Sequence, residues 1–134
     1  MKDKKGFVNG CFDILHVGHI RMLNCIKEKC DTVTVAIDSD ARVKQLKGSD
    51  RPINSEQDRK ELLLSLSSVD NVVVFNTSEE LTALIKDINP DIMMVGSDYR
   101  NKSVIGSEHA KKLLFYERIE GYSTTKTIEN LGVG

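Results

Sequence analysis

Along the chain, short runs of β-branched and apolar residues alternate with stretches in which apolar positions recur every three or four residues. An alternating or unbroken apolar run marks a strand, and a 3.6-residue period marks one face of a helix. Thr32-Val33-Thr34-Val35-Ala36-Ile37 is the clearest strand, of the kind a sheet buries on both faces. Gly6 to Asn9, Asn71 to Phe75, Asp91 to Val95 and the shorter Leu113 to Tyr116 read as four more. Between the first two strands, Ile20, Leu23 and Ile26 return on one face of a helix predicted from about His19 to Lys29, with Arg21, Lys27, Glu28 and Lys29 toward water. Ser55, three residues before Asp58, opens a helix carrying Leu62, Leu63 and Leu66 and ending near Ser68. Thr77 or Ser78 caps another, bearing Leu81, Leu84, Ile85 and Ile88 and stopped by Asn89-Pro90. A last helix is expected from Thr125 to Leu131, closed by Gly132.

Strands alternating with helices, without a linker or internal repeat, predict an α/β fold: a Rossmann-like doubly wound five-stranded parallel sheet with helices on both faces. Such sheets bind ligands outside the carboxyl ends of their strands, where the polar clusters of this sequence fall. A length of 134 residues suits one domain, so residues 1–134 are expected to form a single unit with one active site.

Composition narrows the class. Nineteen Lys and Arg against twenty Asp and Glu leave a formal charge of -1, which gives no global attraction to nucleic acid or an anionic membrane, and neither is expected as a partner. No apolar run approaches the roughly 18 residues of a membrane span, and no leader pattern is expected at the N-terminus. Cys11, Cys25 and Cys30 lack CxxC or Cys/His ligand spacing, which fits a reduced, cytoplasmic chain whose thiols pack as small apolar groups.

The chemistry concentrates after the first strand, in Asn9-Gly10-Cys11-Phe12-Asp13-Ile14-Leu15-His16-Val17-Gly18-His19. This run matches neither GxGxxG nor GxxxxGK[ST], so the dinucleotide and P-loop fingerprints both fail. Gly10 permits a tight turn and Gly18 a close approach of a helix N-terminus, whose N–H groups attract an anion. His16 and His19, at i and i+3, flank the same end and can donate to phosphate oxygens. A bare HxxH also fits capping histidines or a metal pair, but no third His, Cys or acidic ligand sits beside these two.

The run Gly10-x-Phe12-Asp13-x-Leu15-His16-x-Gly18-His19 resembles the HxGH signature of the cytidylyltransferase-like nucleotidyltransferase superfamily. Arg118-Ile119-Glu120-Gly121-Tyr122-Ser123-Thr124-Thr125 is similar to the RTxGISTT block of glycerol-3-phosphate cytidylyltransferases and their choline- and ethanolamine-phosphate relatives. Lys47 to Asn54, Glu56-Gln57-x-Arg59, Gly96-x-Asp98-Tyr99 and Ile105-Gly106-Ser107 look more like the adenylyltransferase domain that makes ADP-heptose. The resemblance runs from Phe7 to Leu131, and no kinase domain is expected alongside.

It implies attack by a substrate phosphate oxygen on the α-phosphorus of CTP or ATP with release of pyrophosphate, a reaction that needs positioning and electrostatics more than covalent chemistry. By the same resemblance His16, His19, Lys47 and Arg118 are catalytic, and Gly10, Cys11, Phe12, Asp13, Gly18, Asp98, Ser123, Thr124 and Thr125 bind the nucleotide. Asp38, Lys44, Arg51 and Arg59 are expected at the phosphorylated acceptor, with Arg59 alternatively pairing with an acid. Lys44, Lys47 and Arg51 are read as a charged loop after the second strand. Mg2+ is expected to arrive mainly on the triphosphate; Asp13 either helps organise it or braces the loop. A nucleophilic Cys11 with His16 as base is the weaker alternative to a small-residue filler. The expected reaction is CMP transfer from CTP to glycerol 3-phosphate or a related polyol or sugar phosphate. The alternatives are adenylyl transfer from ATP to a heptose 1-phosphate-like sugar and a non-catalytic nucleotide-binding regulator. A homodimer is implied by the resemblance alone.

Overall fold

The structure, a computed structural model, describes residues 3–117. Its strands are β1 (Lys5–Gly10), β2 (Thr32–Asp38), β3 (Asn71–Phe75), β4 (Ile92–Gly96) and β5 (Leu113–Tyr116). All pair in parallel, in the order β3-β2-β1-β4-β5. The helices are α1 (Val17–Lys29), α2 (Asp40–Lys47), α3 (Glu56–Leu64) and α4 (Ser78–Ile88). The predicted last helix, Thr125 to Leu131, lies outside the described residues. Among the described residues no helix is long and apolar enough to cross a membrane.

Alternation along β2 explains the two layers of core. Val33, Val35 and Ile37 point to one face and pack with Val8 of β1, Leu23 and Ile26 of α1 and Leu63 of α3. Ala36 points to the other and joins Phe7, Met93, Phe75 and the α4 residues Leu81 and Ile85. Helices therefore cover both faces, as the near-continuous apolar strands demand. The fold is the Rossmann-like α/β sheet that the sequence pattern predicts.

Three boundaries differ for local reasons. α1 starts at Val17, two residues early, because His16 acts as its N-cap. α3 stops at Leu64, short of the predicted end near Ser68, and within it Leu63 is buried while Leu62 is 45% exposed. The predicted charged loop after β2 is largely the helix α2, capped by Ser39, whose hydroxyl accepts from Arg42 N at 3.1 Å. Val43 is its one buried residue, so no apolar stripe betrays it.

The sheet order sets the position of the site. From β1 the chain moves outward to β2 and β3, then returns to the opposite side of β1 with β4. β1 pairs with β2 at six register positions, from Lys5↔Thr32 to Gly10↔Ile37, but with β4 only at Gly6↔Ile92 and Phe7↔Met93. The two strands thus part toward their carboxyl ends, which opens a crevice at the point where strand order reverses. Asn9 Oδ1 lies there, buried and without a hydrogen-bond partner among the described residues.

Candidate active site

The loop from Cys11 to His16 carries β1 into α1 across the crevice. Its sharp turn falls on Phe12, at φ 50°, rather than on a glycine. Gly10 serves a different need: a Cβ there would stand 3.0 Å from the Phe12 ring, which folds back over it. Phe12 is buried and meets His19 edge-on, with ring centroids 4.9 Å apart.

The two histidines form a reciprocal cap. Gly18 N–H donates to His16 Nδ1 at 3.1 Å, and His16 N–H donates to His19 Nδ1 at 3.3 Å. The rings stack with centroids 3.8 Å apart and planes at 18°. With both Nδ1 atoms acting as acceptors, the neutral rings carry their protons on Nε2, which makes each a hydrogen-bond donor through that nitrogen. The capping reading of HxxH and the donor reading are therefore the same structure: the cap selects the tautomer.

Asp13 is fully buried. Its carboxylate accepts from Ile53 N at 2.9 Å, Asn54 N at 2.8 Å and Arg51 Nε at 3.0 Å, and Asn54 Nδ2 returns to the Asp13 carbonyl. Of the two roles considered for Asp13, bracing the loop is the one this geometry builds. Of the two roles considered for Arg59, pairing with an acid rather than reaching the acceptor is the one this geometry builds: its side chain is fully buried and donates to the carbonyls of Asn54 (3.0 Å), Cys11 (2.9 Å) and Asp38 (2.7 Å) and to Asp40 Oδ1 (2.9 Å). Four of its five N–H groups are thus engaged with protein, and it ties the β1 loop, the end of β2 and the start of α3 together.

Asp38 accepts from Arg42 Nε at 2.8 Å; the same Arg42 reaches Ser78 Oγ at 3.2 Å and stands 5.2 Å over the Phe75 ring. Lys44 and Lys47 are exposed in the last turn of α2, three residues apart and so on one side of the helix. Burial pushes the Cys11 thiol up, only partly offset by the cations of Lys47 and Arg59. That shift disfavours the thiolate, which fits the small-residue filler better than a nucleophile.

Asp98 falls in the turn Ser97–Tyr99 directly after β4, where only its backbone is described. Arg118, Ser123, Thr124 and Thr125 lie outside the described residues. Sequence reasoning overlooked Asp40, Asn54 and Glu56 as parts of the site's frame. Asp40 N–H donates to Glu56 Oε1 at 2.9 Å and Glu56 N–H to Asp40 Oδ1 at 2.8 Å, so each acid caps the other's helix. Their signal is an acidic residue directly after Ser39 and again after Ser55, the composition of a helix start.

Comparison with known proteins places this geometry. The chain is 49% identical over 125 residues to the bifunctional protein HldE of a Nitratiruptor species and 52% identical over 125 residues to that of Helicobacter pylori. Each match takes in 93% of this chain and 27% of the relative, so the chain spans about a quarter of the length of these proteins. A lipopolysaccharide core biosynthesis protein from Thermoplasma volcanium shares the fold, with a TM-score of 0.73 at 24% identity over 89% of this chain and the whole of that one. Residues 7–130 match the cytidylyltransferase-like family, and the chain, with its His16–His19 cap at the head of α1, belongs to that family.

Proposed function

We propose that this domain transfers a nucleoside monophosphate from a nucleoside triphosphate to a phosphorylated sugar, releasing pyrophosphate, and that the nucleotide is ATP. The observation that carries the transfer is the reciprocal histidine cap, two Nε2 donors fixed beside a helix N-terminus at the opening between β1 and β4. A phosphate oxygen of the acceptor is already a nucleophile. The protein's task is to align it in line with the α-phosphorus and to stabilise the charge that develops on the leaving pyrophosphate. Imidazole donors, the α1 N-terminus and the Lys44 and Lys47 amines supply that field.

Sequence relatedness supports the base and acceptor. The relatives at 49% and 52% identity are HldE proteins, and the stretches Lys47 to Asn54 and Gly96-x-Asp98-Tyr99 resemble the domain that makes ADP-heptose. This favours adenylyl transfer to a heptose 1-phosphate-like sugar over the CTP and glycerol 3-phosphate expected from the Arg118 to Thr125 block, which remains the support for the second reading. Mg2+ enters this scheme on the triphosphate; the Asp13 carboxylate is engaged by Arg51 Nε, Ile53 N and Asn54 N. The homodimer is part of the same reading and is read by sedimentation equilibrium.

Pyrophosphate release, measured with ATP and CTP against heptose 1-phosphate, glycerol 3-phosphate, phosphocholine and phosphoethanolamine, tests the assignment. ATP with the heptose phosphate is expected to give the highest kcat/KM. Preference for CTP across the acceptors refutes the ATP assignment, and nucleotide binding without turnover for every pair refutes catalysis.

A further inference from the structure

The turn that carries β1 into α1 is made at Phe12, with φ 50°, a left-handed conformation that a bulky side chain adopts only at a cost. Its neighbours on both sides are pinned. The Cys11 carbonyl accepts from Arg59 Nη1 at 2.9 Å, and the Asp13 carboxylate accepts from Ile53 N at 2.9 Å and Asn54 N at 2.8 Å. Strain held in place from both sides points to a use for the residue that bears it. A glycine would make the same turn without strain, so the use lies in the ring. That ring is buried, closes over Gly10 and meets the His19 ring edge-on, with 4.9 Å between centroids. A ring so enclosed offers little surface to the nucleotide, the contact that the family resemblance implies for Phe12.

We propose that Phe12 is a positioning residue for His19, and that Gly10 leaves the room its ring needs to do so. His19 is the third residue of α1, and its Nδ1 accepts from His16 N–H at 3.3 Å. A hydrogen bond of that length selects the tautomer but holds the plane of the ring loosely. Two ring contacts hold the plane: a stack on His16 with centroids 3.8 Å apart and planes at 18°, and the edge-on contact with Phe12 at 65°. Aromatic pairs favour such geometries, and two at different angles define an orientation that neither defines alone. The His19 Nε2–H is thereby aimed before any ligand arrives, which is what a donor to a developing charge requires. At residue 10 a Cβ would stand 3.0 Å from Phe12 Cε2, so any side chain there would displace the ring. The proposal rests on the transfer reading for the work His19 does, and not for the way its ring is held.

Side-chain 1H–15N correlation spectra of the full chain read the tautomer and ring orientation of His19 without any substrate. They are recorded for the wild type, Phe12→Leu, Gly10→Ala and the double variant, each checked for a cooperative thermal transition. The wild type is expected to hold His19 as a single Nε2–H tautomer, and a mixture there overturns the proposal. Phe12→Leu should populate a second tautomer or ring orientation and lower kcat about 10- to 100-fold, as for a reacting group misplaced by up to about 1 Å, with little change in nucleotide KM. Gly10→Ala, which keeps the ring but shifts it, should do the same more weakly, by about three- to tenfold. Leucine puts no ring over residue 10, so Gly10→Ala should cost nothing further in the Phe12→Leu background. Effects that multiply would overturn the part assigned to Gly10. A raised nucleotide KM at unchanged kcat in Phe12→Leu would make Phe12 a nucleotide contact and overturn the positioning role. Phe12 also belongs to the buried cluster that includes Val8 and Leu23. A lower thermal midpoint with the His19 tautomer and kcat both unchanged would reduce it to a core filler and likewise overturn the role. If Phe12→Leu does not fold, Gly10→Ala carries the test. A disordered His19 in the variants, alongside absent wild-type turnover with every substrate pair, would refute the transfer reading and leave the positioning of His19 standing.

Discussion

Replacing Arg59 by Ala removes a fully buried cation that holds three backbone carbonyls and one carboxylate. Breaking a buried ion pair from one side costs about 3–5 kcal/mol, since the partner charge and the stranded acceptors stay behind. Each stranded buried acceptor is worth about 1–3 kcal/mol, but water entering the vacated space moderates the sum. Asp40 is itself part-exposed, at 34%, and is screened accordingly. A net loss of about 3–5 kcal/mol follows, a large share of the roughly 5–15 kcal/mol that holds a domain folded. Arg59→Lys offers three donors on one nitrogen in place of four engaged N–H groups, with a loss of about 1–3 kcal/mol. Urea unfolding followed by far-UV circular dichroism measures both. A cost below about 1 kcal/mol for Arg59→Ala, or a raised acceptor KM in Arg59→Lys without any loss of stability, would refute the structural role and restore the substrate contact.

Other expectations follow from single contacts. His16→Ala removes a capping acceptor and an Nε2 donor together; turnover should fall on the order of 10²–10³-fold, as for a lost oxyanion donor, with near-normal turnover refuting the mechanism. Burial alone would raise the Asp70 carboxyl, but hydrogen bonds from Lys27 Nζ and Val33 N and the Lys27 charge outweigh it and leave it below its usual 3.8. Its stabilisation is therefore present above that value and lost as pH falls through the lower folded one; because the pair is about one-third exposed, Asp70→Asn should cost about 0.5–1 kcal/mol at pH 7. In acid titrations of unfolding free energy, that gap should close below pH 3.8, and a gap independent of pH would contradict the assignment. Gly106 has φ 78°, and a Cβ there would stand 2.5 Å from Ile85 Cδ1, so Gly106→Ala should lower stability by about 1–2 kcal/mol in the same urea assay; an unchanged midpoint would show that the loop relaxes freely.

What the sequence determined by itself is local. The strands, α1, α3 and α4 declare themselves because their periodicity and caps operate within a few residues, and the HxxH run names the cradle for the same reason. α2 escaped because its eight residues, half of them charged, bury only Val43. Sequence relatedness, by contrast, weighs on the nucleotide and acceptor beyond what spacing conveys. Only the tertiary structure decided what the charged residues do. Arg51 and Arg59 are eight positions apart in similar surroundings, yet one meets Asp13 across 38 residues and the other meets Cys11 across 48. Such pairings depend on strand order and on how far β1 and β4 part, quantities set by packing of the whole sheet and absent from any short stretch of chain. That is why Asp13 turns inward to brace a loop, and why Arg59 is engaged on nearly every side while Arg51 is held through its Nε by Asp13.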